Sequence, residues 1–430
     1  MTITKTINNM LRHIKYEAAL EEQNTLLRRQ LDTIHTRKKQ DDEDTLRNSA
    51  RRYLWPIEQM KTFVSQTYEF RHNIVTDVNE YRRVADGKTA PYVVINDREL
   101  NTIALDIQMA GIFCLDRYVK QFIDSKFATE YHPVTEYLDT VRGTWDGTDR
   151  TADLLRRITT SDYCLRMGRI WLRAVVAQWL GIDSEHANSV MLLLVSLQQG
   201  MQKSTFLRCL LPPQLTDYYT DDFSLSAKGN AQRKMVEYAI INCDEFDKEK
   251  PTKMPLMKTL MQTMKPSFIG AYKKNFNRLP RIASFTGTSN TRELLHDHSG
   301  SRRFLILEPD GPIDITGINH DQLYAQLIYE VEHGEQYHFD SDMETEMQCH
   351  NRAYYVKSPI ENLFCKFFRA ADDGEDCRQM TAAEILTALD RHNHHIMRDT
   401  TKIQMGRILH AMNIPVVHSE YSNTYRVVEL

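Results

Sequence analysis

Val195-Ser-Leu-Gln-Gln-Gly-Met-Gln-Lys-Ser-Thr205 follows the apolar run Val190 to Val195 and leads into Phe206-Leu207-Arg208-Cys209-Leu210-Leu211. Strand, tight loop ending in Lys-Ser/Thr, then helix is the layout of a nucleotide-binding P-loop. Such a loop turns backbone N–H groups and a helix N-terminus toward phosphates, a Lys toward the outer phosphates and a hydroxyl toward magnesium. Lys203 and Ser204 fit the last two roles, with Thr205 next in line. The glycines match poorly. In G-x-x-x-x-G-K-[ST] the first Gly falls on Leu197 and the second on Gln202, which leaves only Gly200 inside the loop. The plainer alternative is an ordinary buried strand and turn.

Downstream runs favour the first reading. Tyr238-Ala-Ile-Ile-Asn-Cys243 is mostly apolar and ends in Asp244-Glu245-Phe246-Asp247. Parallel strands buried on both faces have this composition. Two carboxylates at the end of such a strand fit a Walker B pair, with Asp244 for magnesium and Glu245 to activate the attacking water. A third strand-like run, Arg281 to Asn290, ends on an amide that can bond the attacking water or the γ-phosphate. Gly300-Ser301-Arg302-Arg303 then precedes the apolar strand Phe304-Leu305-Ile306-Leu307. An Arg so placed can act as an arginine finger. Each element taken singly also reads as a solvated strand end; their order and compact spacing make the case.

These residues resemble a family. Gln199 to Phe206, Asp244-Glu-Phe-Asp247, Thr288-Ser-Asn290 and Gly300-Ser-Arg-Arg-Phe304 look like the virulence-associated protein E (VapE-like) family. So do Tyr68-Glu-Phe-Arg-His-Asn73 and Trp145-Asp-Gly-Thr-Asp-Arg150 upstream. The resemblance runs from about residue 53 to the C-terminus. It implies a superfamily III helicase-like AAA+ ATPase of phages and mobile elements, working as a ring on DNA. The departure is Gln202, where the family usually carries Gly before the Lys.

Composition sets bounds. The chain has 430 residues, 41% hydrophobic and 26% charged, as expected of a soluble globular protein with two or three domains. No apolar run approaches the roughly 18–20 residues that cross a bilayer, and the N-terminus has no signal pattern. Seven scattered cysteines without C-x-x-C pairs fit free thiols in a reducing cytoplasm. Net charge is −4, yet Pro266 to Arg292 contains no acidic residue and holds Lys273, Lys274, Arg278, Arg281 and Arg292. Such a basic segment can grip phosphates on an acidic protein.

The expected architecture is an α/β P-loop AAA+ core flanked by a helical N-terminal region and a C-terminal winged-helix-like domain. Residues 1–52 read as a helical leader, with a short coiled coil as the alternative, and the charged run from Arg37 to Asp44 reads as a solvated linker. Residues 53–184 read as mostly helical, with a short strand at Tyr92–Ile95. Residues 185–310 are the core and 311–357 a helical lid. Residues 358–430 read as helix, helix, helix, hairpin, with Thr381 capping the second helix and Lys402, Arg407 and Arg426 as DNA candidates.

The roles expected are these. Gly200, Lys203, Ser204 and Thr205 bind ATP; Ser204 and Asp244 hold Mg2+; Glu245, Asn290 and Arg302 or Arg303 serve hydrolysis, the arginine on a neighbouring subunit. Lys273, Lys274 and Arg278 would contact DNA, most simply single-stranded, with Tyr272 stacking on bases. The rival reading is a turnover-deficient P-loop protein with an assembly or interference role in a mobile element, favoured by Leu197 and Gln202.

Overall fold

The computed structural model describes residues 2–183, 186–225, 228–269, 276–277, 279–296, 298–372, 374–418 and 423–430. Lys273, Lys274, Arg278 and Tyr272 lie outside the described residues. The chain divides into two compact units, 1–132 and 133–430.

The first unit opens with one helix, α1 (Thr2–Thr67). It runs straight through Arg37 to Asp44, so the expected linker is helical, and its described side chains from Arg12 to Arg47 are all exposed. Only its last turns enter a core, through Met60 and Val64. A hairpin follows, β1 (Tyr68–Asn73) and β2 (Val78–Arg83), antiparallel in register. The sheet is completed by β3 (Val93–Val94) on β2 and by β4 (Thr129–Tyr131), parallel to β1. Helices α2 (Asp97–Met109) and α3 (Asp116–Ile123) bury Ile103, Ile107, Val119 and Ile123 against Tyr68 and Tyr81. The hairpin was missed because neither strand is an apolar run, although Tyr68-Glu-Phe-Arg alternates as a half-buried strand does. Its charges pair across the strands, Arg71 with Glu80 at 2.7 Å and Arg82 with Glu69.

In the second unit α4 (Pro133–Val141), α5 (Arg150–Arg156) and α6 (Asp162–Trp179) precede a five-stranded parallel sheet. Its members are β5 (Met191–Val195), β6 (Tyr219–Thr220), β7 (Ile240–Cys243), β10 (Ser284–Ser289) and β11 (Phe304–Leu307), in the order β11-β5-β10-β7-β6. Between them in the chain come α7 (Lys203–Arg208), α8 (Lys228–Glu237), α9 (Met254–Gln262) and the two-stranded ribbon β8 (Phe268–Ile269) and β9 (Phe276–Asn277). Met191, Leu193 and Val195 face a core built with Met235 of α8 and Met257, Leu260 and Met261 of α9. Leu192 and Leu194 alternate to the other face and are equally buried. That is why this strand reads as an unbroken apolar run.

Helix α10 (His320–Glu332) packs on α4, α5 and α6. The Trp145–Arg150 string is the joint. Asp149 caps α5, accepts from Gln326 at 2.8 Å and pairs with Arg169 at 2.6 Å, while buried Arg173 pairs with buried Glu330 at 2.7 Å. Gln322 accepts from the Asp146 N–H at 2.8 Å. Residues 133–183 and α10 therefore form one layer with the sheet's unit, rather than a domain with residues 53–132. Helix α11 (Ser341–His350) follows.

The C-terminal part contains α12 (Pro359–Phe367), β12 (Phe368–Ala370), β13 (Arg378–Thr381), α13 (Ala382–His392), α14 (His394–Met397), α15 (Lys402–Ala411), β14 (Val416–His418) and β15 (Asn423–Glu429). Capping boxes start α12, α13 and α15, with Thr381 in the expected place. β15 is the central strand, with β13 on one side and β12 and β14 following one another on the other. The sheet is thus larger than the single hairpin expected. Its core is Phe364, Ile385, Leu389, Met405, Leu409 and Val427. Lys402 and Arg407 are exposed on α15, whereas Arg426 donates to the Asp372 carbonyl at 3.0 Å.

Two further cations of the acid-free segment serve the fold. Arg292 pairs with Glu308 at 2.6 Å. Arg281 is wholly buried and donates to the carbonyls of Ala283 (2.6 Å), Met261 (2.6 Å), Leu260 (3.3 Å) and Asn188 (3.0 Å). Leu260 and Met261 end α9, so the guanidinium satisfies carbonyls that a helix terminus leaves open. Burial pushes its pKa down to about 9, which leaves it charged at neutral pH.

Gly287 sets how closely the sheet's central strands pack. A Cβ there would lie 2.6 Å from Met191 Cε, 2.7 Å from Leu193 Cδ2 and 2.9 Å from the Cys243 carbonyl oxygen. The side chains can rotate but the carbonyl belongs to the neighbouring strand. Gly287→Ala is expected to destabilise by about 1–3 kcal/mol, the usual cost of overpacking. A thermal unfolding midpoint equal to that of the wild type would refute this.

Candidate functional site

The carboxyl ends of β5, β10 and β7 meet at one cleft of about 310 Å³. β10 pairs with β5 through Ser289 and Val195 and with β7 through Gly287 and Cys243. Its tip therefore stands between the loop after β5 and the carboxylates after β7. In an open parallel sheet this edge is where ligands bind.

Lys203 begins α7, is buried, and donates through Nζ to Asn290 Oδ1 at 2.9 Å and to the Ser196 carbonyl at 3.5 Å. Burial pushes its ammonium below the ordinary Lys range, and the Asp244 and Asp247 carboxylates pull it back up. Ser204 Oγ donates to Asp244 Oδ1 at 2.7 Å. Thr288 Oγ1 donates to the same oxygen at 2.5 Å and accepts from the Glu245 N–H at 3.3 Å. Gly200 and Thr205 line the same cleft. Glu245 is exposed, and Lys248 donates to its Oε2 at 2.5 Å. The structure thus brings Gly200, Lys203, Ser204, Thr205, Asp244, Glu245 and Asn290 together.

Arg302 and Arg303 are not brought there. Phe304 is in register with Met191, four residues before the end of β5. At 3.3 Å per residue that places both arginines about 13 Å or more below the loop. In its own chain Arg302 pairs with Glu344 at 2.6 Å. Lys248 is a site residue that motif reading passed over, and Thr288, quoted within a motif, was given no role. Thr288 had a signal: it lies two residues before Asn290 on a strand, so both belong to one face.

Two non-glycine residues of the cleft have left-handed backbone. Gln202, the N-cap of α7, has φ +59° and ψ +21°, and Glu245 has φ +51° and ψ +48°. Gly200, at φ +78°, is the residue type suited to that region.

A family model for the virulence-associated protein E-like domain matches residues 138–356, slightly more than half of the chain. This chain belongs to the VapE-like family. The matched span starts within α4, carries every residue of the cleft and ends after α11. A model described only as a domain of unknown function (DUF3874) matches residues 357–427, from just before α12 into β15. No curated protein matches the chain. Among solved structures it is similar to the apo C-terminal region (305–718) of NrS-1, at 12% identity and TM-score 0.44, covering 87% of this chain and 99% of that one. An A-form apo structure of that region has 12% identity and TM-score 0.43, covering 87% and 98%.

The strained loop of this VapE-like chain yields a test. A side chain in the left-handed region costs about 1–2 kcal/mol, whereas a new Gly adds unfolded-state freedom worth roughly 0.4–1 kcal/mol. Gln202 is exposed, so its removal leaves no cavity. Gln202→Gly should therefore hold or raise the thermal unfolding midpoint. A lowered midpoint would mean that the Gln202 side chain contributes a contact larger than the strain.

Proposed function

We propose that this VapE-like protein is an ATP-dependent motor of a phage or mobile element that acts on DNA as a ring. The observation that carries the reading is the convergence of Lys203, Ser204, Asp244 and Asn290 on one cleft at the carboxyl edge of a parallel sheet. The strand order supports an AAA+ type of P-loop core, because β10 separates the loop-bearing strand from the carboxylate-bearing strand and presents an amide between them. The helices and antiparallel sheet after residue 358 support a winged-helix-like domain.

The donor set fits ATP with magnesium. Ser204 Oγ and Thr288 Oγ1 both reach Asp244 Oδ1, a cluster of hard oxygens of the kind magnesium takes. Lys203 is held in the cleft by an amide and a carbonyl, which leaves its charge for the outer phosphates. When bound, magnesium neutralises phosphate charge. Ser204 and Asp244 would hold it, Asn290 would bond the γ-phosphate, and Glu245 would orient and deprotonate the attacking water. Arg302 or Arg303, remote from Lys203 of its own chain, would complete the site of the next subunit, which supports a head-to-tail ring. DNA as the partner is supported by the family and by the basic segment, in which Lys273, Lys274 and Arg278 remain candidates once Arg281 and Arg292 are assigned to the fold.

A second reading, nucleotide binding without turnover, is favoured by the strained Gln202 and by the Lys248–Glu245 ion pair. Two variants separate the readings. Lys203→Ala should abolish ATP hydrolysis, and Glu245→Gln should keep ATP binding while stopping turnover. Unchanged hydrolysis in purified Lys203→Ala protein would remove the P-loop assignment; wild-type protein that binds ATP without hydrolysing it, with or without single-stranded DNA, would favour the second reading.

The arginine is tested by mixing. Arg302→Ala and Lys203→Ala proteins, each inactive alone, should regain part of the hydrolysis when combined. Absence of recovery in a demonstrated mixed oligomer would assign Arg302 to its own chain.

A further inference from the structure

Helix α1 carries a seam that none of the described residues covers. All of its described side chains from Arg12 to Arg47 are exposed, including Leu20 (47%), Leu27 (50%), Leu31 (51%) and Ile34 (59%). A lone helix of this length gains little from propensity and is ordinarily stabilised by packing of an apolar face. Leu20, Leu27 and Ile34 are spaced by seven, and Leu31 lies four after Leu27. Placing the first three at heptad position d puts Asn24 and Leu31 at position a.

We propose that residues 20–34 of α1 form a parallel, in-register, two-stranded coiled coil with a second copy of this chain. Asn24 decides the direction. In a parallel pair a faces a, so Asn24 meets Asn24 and the two amides bond each other. In an antiparallel pair a faces d, and Asn24 would be buried against Leu or Ile without a partner, which costs about 1–3 kcal/mol. A single Asn at position a is also the residue that sets register and strand number in such coils. Glu17 and Lys38 occupy the a positions on either side of the seam and limit it to these turns. The pairing does not rest on the ATP reading.

Cysteine pairing tests it in the full chain. Leu27→Cys lies on the seam and Glu22→Cys at the outward f position. Under mild oxidation Leu27→Cys should form a covalent dimer roughly tenfold faster or more than Glu22→Cys, because pairing raises the local concentration of its partner. Cys349 and Cys365 are exposed, so the wild type sets the background. Equal rates at positions 22 and 27, or no dimer above background, would overturn the coil. Faster cross-linking in a mixture of Leu20→Cys and Leu31→Cys chains, or of Asn24→Cys and Ile34→Cys chains, than in Leu27→Cys alone would overturn its direction.

Discussion

The hydrogen-bond ladder that inserts β10 between β5 and β7 is the constraint on which the cleft depends. Both edges of β10 are engaged by parallel pairing, and the ladder extends one step beyond the strand, where the Ser196 N–H donates to the Ser289 carbonyl at 3.2 Å. Asn290 can therefore reach Lys203, and Thr288 can reach Asp244, with no further device to aim them. Asn242 and Thr286, opposite each other in the ladder, bond through their side chains at 3.2 Å and carry the polar line down into the sheet. The side chains above the sheet are thus positioned by backbone geometry, and the loops only have to supply residues of suitable type.

Much of this was legible beforehand. The strands β5, β7 and β11 announce themselves as apolar runs because buried parallel strands need no polar face, and β10 follows from its place between the carboxylates and Asn290. Lys203, Ser204, Asp244 and Asn290 follow from their positions at strand ends. The cap at Thr381 is a local signal with a local cause; the capping boxes at Ser358 and Thr401 have the same cause but were not read. What was hidden rests on partners far away in the chain. β1, β2 and β13 are strands with charged or polar faces, recognisable only when their cross-strand partners are known. Arg281 sits in a basic segment and looks solvated until four carbonyls from elsewhere enclose it. Arg37 to Asp44 looks like a linker, yet consists mainly of residues that a solvated helix tolerates.

The family string Trp145–Arg150 shows a related division of labour. Its carboxylates are engaged locally: Asp146 accepts from the Thr148 N–H and pairs with Arg150, and Asp149 caps α5, pairs with Arg169 and accepts from Gln326 of α10. They hold the helical layer together beside the sheet. In the cleft Gln202 and Glu245 both hold backbone angles that their side chains disfavour. Strain of this kind persists only where the surroundings enforce it, and here the enforcing surroundings are the strand ends themselves.

The buried guanidinium of Arg281 bears on how the molecule opens. Its cost is tolerable only while every carbonyl around it stays in place. Those carbonyls belong to three stretches of chain, at Asn188, at the end of α9 and at Ala283. Withdrawing any one of them leaves a desolvated cation short of acceptors, so no stretch can fray by itself at low cost. The stretches at Asn188 and Ala283 and the end of α9 are thereby coupled, and amide exchange from them is expected to follow a shared fluctuation instead of separate local ones.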